Sequence, residues 1–406
     1  MRGVIPGVLA LAVLGFQGCR RQAKPMPPPP VSLSLVAVGD ILMHQDVKRA
    51  AELDPGGFPA LWADLVPLFQ ASDLAFGNLE TPVAPSTGRP GVPFQFNAPA
   101  GLPAALRASG FTVLATANNH AFDQGPRGVR ETLDRLRAEH LVAIGSGEDQ
   151  ARAETLQIVE RQGLRVAFLG FTDLFNIDLN RRATEPWVRP LDLEPALHAV
   201  REARRQADLV ILSIHWGNEY QHLPTKRQRD LAKALIAAGC DVILGHHPHV
   251  LQPAELLEVE GRRGLVAYSL GNFISNQDRM YRADLFPVAG GDNRDGAALK
   301  LRFERRRESD GLDHTVLAEV AVEPLWTENN WGVAARREIR VIRVAVAEAR
   351  VRAELERLSD PQEGPKAAPD EGERRKAILE KQEQLRTLIL RRQRIAAIVG
   401  EAFVSR

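Results

Sequence analysis

The run Asp241-Val242-Ile243-Leu244-Gly245 passes directly into His246-His247-Pro248-His249, and that junction constrains the chain more than any other stretch. A short apolar, β-branched run closed by Gly reads as a buried strand whose carboxyl end opens into a loop. In layered α/β folds, ligands bind just beyond the carboxyl ends of strands. Imidazole is the commonest metal-binding side chain near neutral pH, and the His-x-His spacing lets two rings reach one ion. The alternative is a surface loop that happens to be rich in His, and the strand in front of it argues against that. The question is whether other strands end in the same way.

Four others do. β-rich runs over residues 31–38, 73–76, 111–117 and 209–214 end at Gly39-Asp40, Gly77-Asn78-Leu79-Glu80, Asn118-Asn119-His120 and His215-Trp216-Gly217. Helical spacing lies between them, at Leu61, Leu65 and Leu68, over 102–108, at Val129, Leu133 and Leu136, and over 195–207 and 230–238. Two hairpins are expected, 156–159 with 166–169 about Gln162-Gly163, and 256–259 with 265–270. Further strands are expected over 297–303 and 315–322. A β-α-β-α-β order followed by a second β-α-β favours a layered α/β sheet core. Beyond Trp331 the chain becomes heavily charged. Helices are expected over 336–358 and 376–399, joined by a Pro-containing break, as a helical hairpin on the domain or a solvated appendage.

At 406 residues the chain can hold one large domain or two. A formal net charge of +1 gives no global pull toward nucleic acid or an anionic membrane. Cys19 and Cys240 are the two cysteines, and neither has a paired spacing, which argues against a disulfide scaffold or a thiolate zinc site. The N-terminus reads as a signal peptide over residues 1–18: Arg2, an apolar run over 4–16, then Gly18-Cys19. Gly18-Cys19 resembles the processing site of bacterial lipoproteins, which implies a lipidated Cys19. Residues 19–31 carry Pro25 and Pro27 to Pro30, a stiff polyproline spacer between membrane and domain.

The polar residues closing the strands are Asp40, Glu80, Asn119 with His120, His215, and His247 with His249. Each has a bland reading alone: Asp40 can cap a turn, Glu80 can be a solvated loop charge, and Asn118-Asn119 suit a strand-to-helix turn. Five strand ends together can converge on one rim. The mixture of oxygen and nitrogen donors suits Zn, Mn or Fe better than Ca. Two such ions about 3.5–4 Å apart polarise an ester oxygen and activate a bridging water.

These motifs, with Asp123 and Ser269-Leu270-Gly271-Asn272-Phe273, resemble the CapA family over residues 32–325. Its members are bacterial capsule-synthesis proteins, associated with poly-γ-glutamate production and related to calcineurin-like metallophosphoesterases. The resemblance implies a four-layer αββα sandwich, with residues 326–406 as a charged helical C-terminal extension. It implies Asp40, Glu80, Asn119, His215, His247 and His249 as ligands of one or two divalent ions. Glu80 stands where metallophosphoesterases place a bridging Asp. His120 would serve as general acid, oriented by Asp123. The Asp-x-His motif of that superfamily departs here: Leu42 stands where the His would be, and His44 would have to reach the ion from a displaced turn. His44, Asn118, His246 and Asn272 are otherwise expected behind the ligands or facing substrate. The implied function is an exported, lipid-anchored protein of the cell envelope that makes capsule or poly-γ-glutamate-type polymer. It would act as a metal-dependent hydrolase through metal-bound hydroxide. Its partners would be an anionic extracellular polymer or precursor and a membrane polymer-synthesis complex. The competing expectation is a metal-stabilised assembly or export factor without turnover. A third is an amide-bond hydrolase or ligase-associated factor on polyglutamate.

Overall fold

The structure, a computed structural model, describes residues 31–89, 94–282, 290–307, 313–331, 337–360 and 371–404, together with Gly3. Apart from Gly3, the expected signal segment lies outside the described residues, as do Cys19 and the Pro-rich spacer up to residue 30.

The strands are β1 (Ser32–Ile41), β2 (Leu74–Asn78), β3 (Val113–Ala115), β4 (Val142–Ile144), β5 (Ser146–Gly147), β6 (Gln157–Arg161), β7 (Leu164–Thr172) and β8 (Trp187–Val188). They continue as β9 (Leu209–His215), β10 (Val242–His246), β11 (Ala254–Val259), β12 (Arg262–Ala267), β13 (Asn272–Ile274), β14 (Asp295–Arg307), β15 (Asp313–Asn329) and β16 (Ile339–Arg343). One large sheet runs β16-β15-β14-β1-β2-β3-β4, with β13 also beside β1, a second runs β11-β12-β10-β9-β7-β6, and β5 and β8 pair as a separate two-stranded sheet.

Alternation along the strands sets the layers. Leu33, Leu35 and Ala37 of β1, with Phe76 and Val113, face Val166, Phe168, Ile211, Val242 and Leu244 of the second sheet in one buried cluster. Val36 and Val38 point the other way, onto Leu65, Phe69, Leu102 and Leu106 of the outer helical layer and Trp62 in a turn between its helices. In the second sheet Leu169, Leu212 and Ile243 pack on Val200, Leu231 and Leu235 of helices Leu193–Gln206 and Lys226–Ala238. Period-two side-chain placement buries both faces of each sheet, and the result is a four-layer αββα sandwich.

Parallel pairing places the strand ends. β1, β2 and β3 are parallel neighbours, and so are β7, β9 and β10. Asp40 registers with Asn78, and His215 with His246. Both sheets therefore present their polar strand ends at one rim. Close backbone approach there requires glycine: a Cβ on Gly39 would lie 1.8 Å from the Gly271 carbonyl oxygen, and one on Gly245 2.0 Å from that of Tyr268. Neither oxygen belongs to a side chain that can turn aside. Gly245→Ala is expected to cost about 3 kcal/mol or more by the scale of core overpacking, read as a lower urea midpoint.

The C-terminal stretch departs from the expected helix over 336–358. Residues Ile339–Arg343 are a strand paired antiparallel with β15, and the helix begins at Val344. The reason is local: Ile339, Val341 and Ile342 bring β-branched residues to a sheet edge. The division expected at 325/326 falls inside β15. The helices Val344–Ser359 and Glu371–Val399 bury Val344, Ala347, Leu388, Ile395 and Val399 in the same cluster as the inter-sheet core.

Candidate metal centre

Asp40 stands one residue before the end of β1, with its backbone N–H on the Gly271 carbonyl at 3.0 Å. Its carboxylate is fully buried. Asn78 Nδ2 donates to Oδ1 at 2.8 Å, His246 Nδ1 lies 3.2 Å from Oδ1, and His249 Nδ1 lies 3.2 Å from Oδ2. Burial works to raise this carboxyl, but the hydrogen bonds from His246 and His249 outweigh it and hold Asp40 well below the usual carboxylate range.

Glu80 is the opposite case. It is equally buried, yet neither carboxylate oxygen has a hydrogen-bond donor. Its Oε1 lies 3.5 Å from His215 Nε2 and 3.7 Å from His249 Nε2. Burial, then the charges of Asp40, Glu219 and Asp123, push the Glu80 carboxyl well above its ordinary value. A buried carboxylate without donors is costly unless a cation answers it. His247 Nδ1 is likewise buried without a partner.

Three donor groups converge here, each with ligand atoms within 4.8 Å of one another: Glu80 with His215 and His247, Asp40 with Glu80 and His249, and Glu219 with His247 and His249. Two of them share Glu80, which lets one carboxylate serve two positions. Burial, then the His247 charge, holds His215 well below its usual value, and burial, then His249, brings His247 down to about 4. Neutral imidazole is the form that ligates a metal. Donorless Glu80, neutral imidazoles and a mixed O/N donor set fit a divalent ion of the Zn, Mn or Fe kind.

Asn119 approaches through its carbonyl, with Oδ1 2.9 Å from His215 Nε2. Beside it, His120 Nδ1 lies 2.8 Å from Asp123 Oδ2, and its ring meets Phe96 edge-on at 4.5 Å. That Asp123 oxygen also accepts the Phe96 backbone N–H at 2.6 Å, which ties the loop to the imidazole.

The residues expected behind the ligands are placed as follows. Asn118 donates to the Leu79 carbonyl at 2.9 Å and accepts the His120 N–H at 3.2 Å. His246 is fully buried against Asp40, and no donor group includes it. Asn272 Oδ1 lies 3.1 Å from His249 Nδ1. His44 accepts the Asn276 N–H at Nδ1, 3.3 Å away, stands edge-on to Phe96 at 4.9 Å, and joins none of the three groups. Burial, then His249 and His120, lowers it to about 4. Leu42 is buried, its backbone N–H on the Ile274 carbonyl. Sequence reasoning missed Glu219, which follows His215 by four residues, and the orienting roles of Asn78 and Asn176. Asn176 Nδ2 lies 3.4 Å from His120 Nε2 and comes from a loop with no strand to announce it.

Comparison with known proteins gives the lineage. PGA biosynthesis protein CapA of Bacillus subtilis (strain 168) is 36% identical over 248 residues, 60% of this chain and 64% of that one. Capsule biosynthesis protein CapA of Bacillus anthracis is 34% identical over 253 residues, 60% of each chain. The match thus spans less than two thirds of either relative. Among solved structures, a novel phosphatase from Mycoplasma pneumoniae aligns at TM-score 0.43 and 14% identity, over 73% of this chain and 94% of that one. A 5'-nucleotidase precursor from Thermus thermophilus aligns at 0.42 and 15%, over 88% and 60%. The model of the family described as bacterial capsule synthesis protein PGA_cap matches residues 34–277, which take in the whole rim from Asp40 to Asn272, and the chain belongs to that family.

Proposed function

We propose that this chain is an exported, lipid-tethered hydrolase of the cell envelope that uses one or two divalent ions to cleave a phosphoester-type bond. Its substrate would be an extracellular anionic polymer of the poly-γ-glutamate kind, or a precursor of one. The observation that carries the chemistry is Glu80, a donorless buried carboxylate shared by two donor groups, one with His215 and His247 and one with Asp40 and His249. When bound, a divalent ion supplies Lewis acidity and a more acidic water. Asp40, Glu80, Asn119, His215, His247 and His249 hold that charge in place. His120 keeps Nδ1 on Asp123, and Nε2, with Asn176 Nδ2 3.4 Å away, is the nitrogen that would carry a proton to the departing oxygen as its bond breaks. The polymer context rests on family membership and on the capsule and PGA biosynthesis names of the relatives. Export and tethering rest on the Arg2-to-Cys19 sequence.

One observation favours a second reading. Leu42 offers no ligand where the superfamily motif has His, so an assembly factor with a single inert ion fits the site nearly as well. Metal analysis of the purified protein, with a panel of phosphoester and γ-glutamyl substrates, separates the two. Two ions per chain with phosphoester turnover supports hydrolysis, and one ion without turnover supports assembly. His247→Ala and Asn119→Ala are each expected to lose metal and turnover together. Normal turnover in either variant rejects the hydrolase assignment.

A further inference from the structure

The family match stops at residue 277, yet a fully buried arginine from the last helix reaches toward the rim. Arg391, on helix Glu371–Val399, sends Nε to Asp295 Oδ1 at 3.0 Å and Nη2 to Asp292 Oδ1 at 2.7 Å, and Nη2 also bonds Asp295 Oδ2. Its guanidinium lies over the Trp326 ring, 5.1 Å from the centroid. These two carboxylates bracket the turn Asp292–Arg294. From that turn one chain of hydrogen bonds runs to His249 in the metal centre, and a second runs to the backbone two residues beyond it. In the first, the Asn293 carbonyl accepts Asn272 Nδ2 at 2.9 Å, and Asn272 Oδ1 meets His249 Nδ1 at 3.1 Å. In the second, Asp292 Oδ2 lies 2.9 Å from His222 Nε2, and His222 Nδ1 lies 2.8 Å from the carbonyl of Leu251, two residues beyond His249.

The segment on which the first chain ends, and which the second flanks, is strained. His247 has φ of 99° and His249 of 56°, left-handed values that non-glycine residues hold only when their surroundings over-determine them. Within the matched region, Asn272 supports that segment. Asn272 is itself supported from outside the region, by the turn that Arg391 clamps. A lone buried guanidinium would be costly, and two carboxylates with an aromatic face make it a rigid strut. Arg394 adds a third tie, its Nη2 3.0 Å from Asp292 Oδ2.

We propose that Arg391 is a positioning residue for the metal centre: the C-terminal helix clamps the Asp292–Asp295 turn, and through Asn272 and His222 it sets the His249 segment in ligand geometry. The extension, on this account, belongs to the site. The inference rests on the reading of His249 as a ligand.

The test uses the full chain and cobalt(II) as probe, because its visible absorption reports the arrangement of ligands rather than activity. Affinity and spectrum are measured for the parent, for Arg391→Lys, and for the paired replacement Arg391→Gln with Asp295→Asn. The pair leaves no buried charge unmatched at Asp295, so it keeps the question open to measurement if Arg391→Lys does not fold. Expected are a 10–100-fold loss of cobalt affinity, the usual size for disturbing groups that support ligands, and a shifted absorption band in a variant with parental far-ultraviolet circular dichroism. Parental affinity and an unshifted band in a folded variant overturn the role of Arg391 and leave the metal centre standing. A parent chain that binds no cobalt removes both.

Discussion

Glu80→Gln is expected to give a metal-free protein at least as stable as the parent, and to abolish the stabilisation that a divalent ion confers. The first half follows from burial. The Glu80 carboxyl is raised well above its ordinary value, first by burial and then by Asp40, which its histidine partners hold ionised. A carboxyl whose folded value lies above the unfolded one, about 4.3, takes up protons on folding. In the ion-free protein it therefore lowers stability as pH climbs above the unfolded value, until the folded group has ionised too. Gln keeps the shape and removes that charge, so the ion-free variant should lose this pH dependence and melt no lower than the parent near neutrality. The second half follows from ligation. An ion that binds only the folded state at 100 times its Kd adds about 2.7 kcal/mol, and in the parent it would do so by answering the uncompensated Glu80 charge. Gln offers a single neutral oxygen. Thermal melts with and without Zn, Mn or Fe should show a clear metal-dependent rise in the parent and almost none in the variant. A rise of equal size in both would remove Glu80 from the ligand set.

The same residue shows what a sequence can and cannot carry. Glu80 was legible as a position, the polar residue after a short apolar run, because parallel strands that are buried on both faces leave near-continuous apolar stretches. Asp40, Asn119, His215, His247 and His249 were legible for the same reason, and β9 and β10 run to within a residue or two of where the apolar pattern stops. The partners of these residues were not legible. Asn78 orients Asp40 across 38 positions of chain, and Asn176 meets His120 across 56. Such pairs are set by which strands become neighbours, and no local period encodes that.

The C-terminal segment departs from its helical spacing for a different reason. Ile339, Ile342 and Val346 satisfy a helical stripe, so spacing alone admitted a helix where β16 forms; the β-branched residues were the contrary signal. Arg391 was hidden more completely. In a segment rich in charge, nothing distinguishes Arg391, which ends fully buried, from exposed Arg386 or from Arg392, which is partly buried on Glu348. Its burial depends on Asp292 and Asp295, nearly a hundred residues earlier, standing ready to neutralise it.

His120 gives the second large effect, and it separates chemistry from metal holding. No donor group of the rim contains it, while its Nδ1 is fixed on buried Asp123. His120→Gln should therefore load the same number of ions as the parent while turnover falls by about 10²–10⁴, the range for a positioned acid or base. The loss should depend on the leaving group. An alkoxide departs only as it is protonated, so an alkyl ester should lose the full factor; a nitrophenolate departs without help and should lose little. Asp123→Asn should show the same dependence in weaker form, because it disturbs the orientation of His120 and leaves the imidazole present. If both kinds of ester lose activity equally in His120→Gln, the imidazole binds the substrate and another group delivers the proton. Full activity with every leaving group would place the chemistry away from this rim altogether.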